Sequence, residues 1–159
     1  MNITVIAVGK LKEKYLKSAI DEYSKRLSRY CKLDFIELSD EKTPDNASEK
    51  EEQQIKEKEG KLILSKIKEN AYVVAMDLKG KHITSEEFAS FISNCGVMGN
   101  SNIVFAIGGS LGLSEEVLKR ANYKLCFSKM TFPHQLFRVM LLEQVDRSFR
   151  IMNNEPYHK

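Results

Sequence analysis

Two segments of this chain, Val73-Val74-Ala75-Met76 and Ile103-Val104-Phe105-Ala106-Ile107, are apolar at every position. A strand with one wet face alternates apolar and polar residues. One that is apolar throughout needs cover on both faces, as central strands of a parallel sheet have. Strand signals span Tyr72 to Leu78 and Asn102 to Ile107 around these two runs, and recur at Ile3 to Val8, Leu33 to Leu38 and Lys124 to Phe127. Between the strands, Tyr15, Leu16, Ala19, Ile20, Tyr23 and Leu27 fall at helical spacing, as do Phe88, Phe91 and Ile92. Strands alternating with helices predict an α/β fold with a mostly parallel sheet flanked by helices. A length of 159 residues predicts one domain, 1–159.

Helix starts are signalled chemically. Ser48 with Glu51, and Thr84 with Glu87, fit the capping box, and Ser114 followed by Glu115 and Glu116 opens another helix. The stretch Asp40 to Lys61 mixes acidic and basic residues with little apolar content, so it predicts a mobile loop leading into a solvated helix with an exposed charged face. The last helix, from about His134 to Met152, is apolar almost all round. That predicts burial on two sides, against the sheet and against a second subunit.

Several classes are disfavoured. Cys31, Cys95 and Cys126 are far apart and lack CxxC spacing, which argues for free buried thiols over a disulfide framework or a zinc site. No apolar run approaches the roughly 20 residues of a membrane span. The opening Met1–Gly9 reads as a strand and not as a secretion signal, so a cytoplasmic location is expected. A net charge of +3 permits a nucleic-acid partner without demonstrating one.

The run Ile103–Ile107 opens into Gly108-Gly109-Ser110-Leu111-Gly112. Without a Cβ, Gly108 and Gly109 allow close approach of a ligand and positive φ. The spacing is neither G-x-G-x-x-G nor GxxxxGK[ST], which disfavours NAD and ATP. A second segment, Phe127-Ser128-Lys129-Met130-Thr131-Phe132-Pro133-His134, starts the last helix. Thr131 or a neighbouring backbone group is placed to cap it, and free N–H donors would face whatever lies at its mouth. One turn in, Arg138 is either an ion-pair partner or a ligand for phosphate or carboxylate, whereas Arg147 reads as a helix partner of Glu143. His134 is a satisfied cap or a site residue. The ending Asn153–Lys159 either frays or folds back, in which case Tyr157 can stack on a base and His158 can donate to a phosphate or handle a proton.

Taken together, Ile107–Leu113, Ser128–His134, Arg138 and Asn154-x-Pro156-Tyr157-His158 resemble the ribosomal RNA large subunit methyltransferase H family, small bacterial SPOUT enzymes that methylate N3 of a pseudouridine in 23S ribosomal RNA. The resemblance extends over essentially the whole chain, including Ile6–Lys10 and Met76–Lys81. It implies a C-terminal trefoil knot, S-adenosyl-L-methionine as cofactor in a bent form, and a homodimer with composite active sites that acts on RNA, with the assembled ribosome as the expected substrate. It places the cofactor on Met76, Gly108, Phe127, Ser128, Lys129, Met130, Thr131 and Phe132. Arg138, Tyr157, His158 and His134 fall to the nucleotide and the chemistry, with His158 the candidate base; no metal is needed. Two departures stand out: Met76 replaces a common leucine, and Glu155 replaces the histidine of some members, so the residue before Pro156 is not a catalytic candidate. The alternative from another class is a non-catalytic ribosome-associated RNA-binding factor of the same fold, which would not bind S-adenosylmethionine.

Overall fold

A computed structural model describes all 159 residues. Five strands, β1 (Asn2–Val8), β2 (Lys32–Leu38), β3 (Tyr72–His82), β4 (Asn102–Ile107) and β5 (Tyr123–Cys126), form one sheet in the order β2-β1-β4-β3-β5. Every neighbouring pair is parallel. The helices are α1 (Lys14–Leu27), α2 (Glu49–Ser65), α3 (Ser85–Val97), α4 (Glu115–Arg120) and α5 (His134–Met152). The two-residue period of a strand sorts the core. Ile3, Val5, Ala7, Ile103, Phe105 and Ile107 pack against α1, α3 and α5, while Ile6, Val8, Val104 and Ala106 meet Ile63 of α2 and Val117 of α4. Both faces of β4 are therefore covered, which is why its sequence does not alternate.

One strand boundary differs from the sequence expectation for an identifiable reason. β3 runs to His82, not Leu78, because its pairing with β5 lapses after Met76 and resumes at Lys81, a register shift fixed by a distant strand. Gly80 lies in that shifted stretch, where a Cβ would sit 2.7 Å from the backbone of Leu125. The Thr84 box is complete: Thr84 Oγ1 accepts from Glu87 N–H at 3.1 Å and Glu87 Oε2 accepts from Thr84 N–H at 2.7 Å. At Ser48 only the first half forms, with the hydroxyl accepting from Glu51 N–H at 3.2 Å.

The charged stretch corrects the expectation of a purely solvated face. Glu59, in the middle of α2, is only 4% exposed, and Gly60 beside it is buried too. A Cβ at Gly60 would overlap the Ser114 side chain, so its absence lets α2 lie against the segment following β4 and carries Glu59 inward. Glu59 Oε2 accepts from Glu41 N–H at 3.1 Å, and burial pushes its carboxyl above the usual range. α5 is covered on two sides within its own chain, by α1 and α3. Its buried stripe includes the polar Arg138, Asp146 and Ser148 beside Leu141, Leu142 and Val145.

Candidate functional site

Beyond Ile107 the chain reverses through Gly108–Gly112, closed by a Gly112 N–H bond to Gly109 O at 3.1 Å. The left-handed conformation falls at Gly112, with φ +86°, and not at Gly108 or Gly109 as the sequence suggested. Gly108 is required for a different reason. A Cβ there would lie 2.6 Å from the carbonyl carbon of Gly112 and 2.7 Å from its oxygen, so the close approach is by the turn itself. A Cβ at Gly109 would meet the Glu59 carboxylate at 3.2 Å, which places that buried acid directly behind the turn.

The turn walls a cavity of about 320 Å³, within the usual range for small-molecule sites. It opens where ligands of open α/β sheets bind, beyond the carboxyl ends of β4 and β5 and beside β3. Met76, Gly108, Phe127, Ser128, Met130, Thr131 and Phe132 all line it, together with Asp77, His134 and Phe137. Two segments far apart in sequence thus share one cavity. Lys129, exposed, lines neither this cavity nor its neighbour. The 127–132 loop holds its shape locally: Ser128 Oγ accepts from Met130 N–H at 3.0 Å, and Cys126 Sγ donates to Ser128 O at 3.1 Å. Thr131 does not cap α5; Pro133 is its N-cap and no side chain closes the first turn. Burial, with the Arg138 guanidinium nearby, pushes His134 below its ordinary value and leaves it uncharged at neutral pH.

A second cavity, about 400 Å³, shares Leu125, Phe127, Ser128 and Phe132 with the first and runs on to Thr84, Met140, Glu143 and Gln144. The tail folds back against this end of α5. The Arg147 and Arg150 guanidinium carbons lie 4.8 and 4.6 Å from the Tyr157 ring centre, and the Tyr157 hydroxyl donates to Glu143 Oε1 at 3.2 Å. Burial and Glu143 push the Tyr157 phenol up, so it stays a proton donor. His158 Nδ1 lies 3.0 Å from Arg147 Nη1 and Nε2 lies 2.7 Å from Glu86 Oε1. A guanidinium only donates, so Nδ1 accepts and Nε2 carries the hydrogen toward Glu86. Both ring nitrogens are engaged in this conformation.

Arg138, which the resemblance assigns to the nucleotide, is fully buried and lines neither cavity. Its Nη2 donates to Val8 O at 2.8 Å, and Nη1 lies 3.6 Å from Glu37 Oε2, which also accepts from Leu11 N–H. It ties the start of α5 to the ends of β1 and β2. The residue sequence reasoning undervalued is Arg147. It does pair with Glu143, at 2.6 Å, but it also stacks on Tyr157 and contacts His158. The signal available was an arginine on the helix that delivers an aromatic and a histidine. Glu59 gave no signal, because burial of one charge in a mixed-sign run depends on the glycine beside it.

No helix is long and apolar enough to cross a membrane, and no three His, Cys, Asp or Glu side chains converge as a metal site. The family model described as predicted SPOUT methyltransferase matches residues 1–158. Over all 159 residues, and the whole of each relative, the chain is 84% identical to ribosomal RNA large subunit methyltransferase H 1 of Clostridium perfringens SM101. It is 76% identical to the methyltransferase H of Clostridium botulinum Alaska E43 and 72% identical to that of Clostridium tetani E88, again over full length.

Proposed function

Since the chain belongs to the SPOUT methyltransferase family, whose members generally use S-adenosylmethionine, we propose that it methylates N3 of a pseudouridine in 23S ribosomal RNA on the assembled ribosome. The observation that carries this is the meeting of the Gly108 turn and the Phe127–Phe132 loop around one cavity.

The cavity fits S-adenosylmethionine in chemistry. Met76, Ile107, Leu125 and Phe137 offer apolar walls for an adenine, the turn and loop bring backbone polar groups, and Asp77 supplies a carboxylate where a cation would rest. When bound, the cofactor supplies an electrophilic sulfonium methyl. The residues of the chain hold and orient the two reactants, and such positioning is worth on the order of 7–11 kcal/mol in well-aligned systems. Tyr157, kept as a phenol, stacks on or donates to the nucleotide, and Arg147 supplies the fork donor. The imide proton must leave N3. His158 takes it at Nδ1 once Arg147 turns from the ring to the RNA, with Glu86 holding Nε2. His134 remains a neutral group at the cavity wall.

The same reading takes residues 1–159 as one domain with a C-terminal trefoil knot, working in the cytoplasm as a homodimer with composite sites. Exposed Tyr15 on α1 and Leu136 on α5, two helices that pack together, support the dimer face. Calorimetry with S-adenosylmethionine and methyl transfer to unmodified large subunits test the proposal. Binding, and an N3-methylated pseudouridine in digested 23S RNA, are expected, with Tyr157→Phe and His158→Ala slowing transfer while cofactor affinity is retained. Absence of binding, or a methyl group at any other atom, overturns it.

A further inference from the structure

Tyr157 and His158 end a chain whose last helix stops at Met152, and chain ends fray unless something ties them down. The tie here is Glu155. Its Oε1 and Oε2 accept from the Tyr30 hydroxyl at 2.8 and 2.7 Å, and Arg29 donates to Oε2. Arg150 Nη1 stands 4.0 Å from the same carboxylate. Tyr30 lies just beyond α1 and is itself fixed, its ring stacked on Phe149 with centres 5.3 Å apart and planes within 3°. The backbone cooperates. Asn154 takes a left-handed conformation at φ +55°, Glu155 N–H bonds to Arg150 O at 2.8 Å, and Tyr157 N–H bonds to Glu155 O at 2.9 Å.

We infer that Glu155 is a positioning residue: its carboxylate clamps the turn after α5 to Tyr30 and Arg29, and so presents Tyr157 and His158 where the proposed methyl transfer needs them. The inference rests on the methyltransferase reading for its functional half only. Glu155 touches neither cavity and is one residue removed from Tyr157, so it acts through the path of the chain. The clamp is long-range, joining positions 125 apart in sequence. The turn inside the tail is local, made of bonds that any residue at 155 forms through its backbone. Removing the carboxylate therefore takes away the tie to the end of α1, leaves Tyr157 and His158 only their own contacts with Glu143, Arg147, Arg150 and Glu86, and leaves the fold and the cofactor cavity intact.

The test compares Glu155→Ala, Glu155→Gln and Tyr30→Phe with the full-length wild type, and uses Tyr157→Ala as the reference for a lost tail. Hydrogen exchange at residues 153–159 reads the clamp without reference to activity. Single-turnover transfer at saturating S-adenosylmethionine, with calorimetry for the cofactor, reads its consequence. Glu155→Ala is expected to speed exchange across the tail and to lower the transfer rate by about 10–100-fold, the scale at which misplacement of a reacting group costs rate. Cofactor affinity and melting temperature stay near the wild-type values. Glu155→Gln, which keeps an acceptor for Tyr30, recovers part of both, and Tyr30→Phe, which keeps the stack on Phe149, falls between.

Unchanged tail protection in Glu155→Ala overturns the clamp whether or not the protein methylates RNA. Faster exchange with an unchanged transfer rate, while Tyr157→Ala abolishes transfer, overturns the positioning role and leaves the methyltransferase reading standing. If the wild type transfers no methyl group, that reading fails by itself, and the exchange measurement still decides the clamp.

Discussion

Gly108→Ala isolates the geometry of the glycine turn. The added methyl would begin 2.6 Å from the Gly112 carbonyl carbon, 2.7 Å from its oxygen and 3.0 Å from Leu113 N, all backbone atoms. To reach ordinary contact the two arms of the turn must part by about 0.8 Å. Forced expansion of a well-packed region costs about 1–3 kcal/mol. The moved atoms form a cavity wall, so the strain must be restored on binding, and S-adenosylmethionine affinity should fall by roughly 5–150-fold at 1.4 kcal/mol per tenfold. Two controls separate contact from conformation. At Gly109 a Cβ meets only side chains, Glu59 at 3.2 Å and Val8 at 3.3 Å, which can yield, so Gly109→Ala should stay within about threefold of wild type. Gly99 has open space but φ +83°, so Gly99→Ala should lower stability by about 1–2 kcal/mol and leave cofactor affinity unchanged. Calorimetry and thermal denaturation on the three variants provide the measurements. Wild-type affinity in Gly108→Ala, or an equal loss in Gly109→Ala, would refute the argument from close approach.

His134 is held below its ordinary 6.5, so between that value and its folded one the unfolded chain binds more protons than the native state. Stability therefore falls as pH drops below 6.5 and on through the lower folded value, and His134→Gln should flatten that part of the stability profile measured by denaturant titration; parallel profiles would contradict it. Burial pushes the Cys31 thiol up to about 11, so at pH 8 Ellman's reagent should modify it far more slowly in the native protein than in guanidinium, and equal rates would count against its buried placement. Leu142, fully buried on α5, should lose about 2–5 kcal/mol on truncation to Ala, a drop in melting temperature of roughly 2–4 °C per kcal/mol; a smaller loss would mean the site collapses around the missing atoms.

What could be read from the sequence was what local chemistry decides. The continuous apolar runs gave the two central strands, and Thr84 with Glu87 marked a helix start because both bonds lie within four residues. What could not be read depends on partners brought together by folding. β3 extends to His82 because β5 resumes pairing there, Glu59 is buried because Gly60 lets α2 close on Ser114, and the tail is ordered because Tyr30 waits at the other end of the chain. Arg138 offered two readings in the sequence, ion-pair partner or anion ligand, and its surroundings come from distant strands: Nη2 donates to the Val8 carbonyl and Nη1 lies 3.6 Å from Glu37, while Nε and Nη1 make no hydrogen bond. At Gly108 the structure requires a glycine for steric closeness to Gly112 and not for a left-handed backbone.

The strand order sets a timetable for synthesis. β1 is an inner strand whose far neighbour is β4, in register from Asn2 with Asn102 onward. As the chain leaves the ribosome, β1 can zip to β2 early, but its other edge stays open until β4 has emerged. At about 5–20 residues per second that wait lasts roughly 5–20 seconds. During it an apolar strand edge is exposed to every other nascent chain nearby. For this protein, residues 39–101 are the stretch whose translation sets how long that edge stays open after β2 has paired.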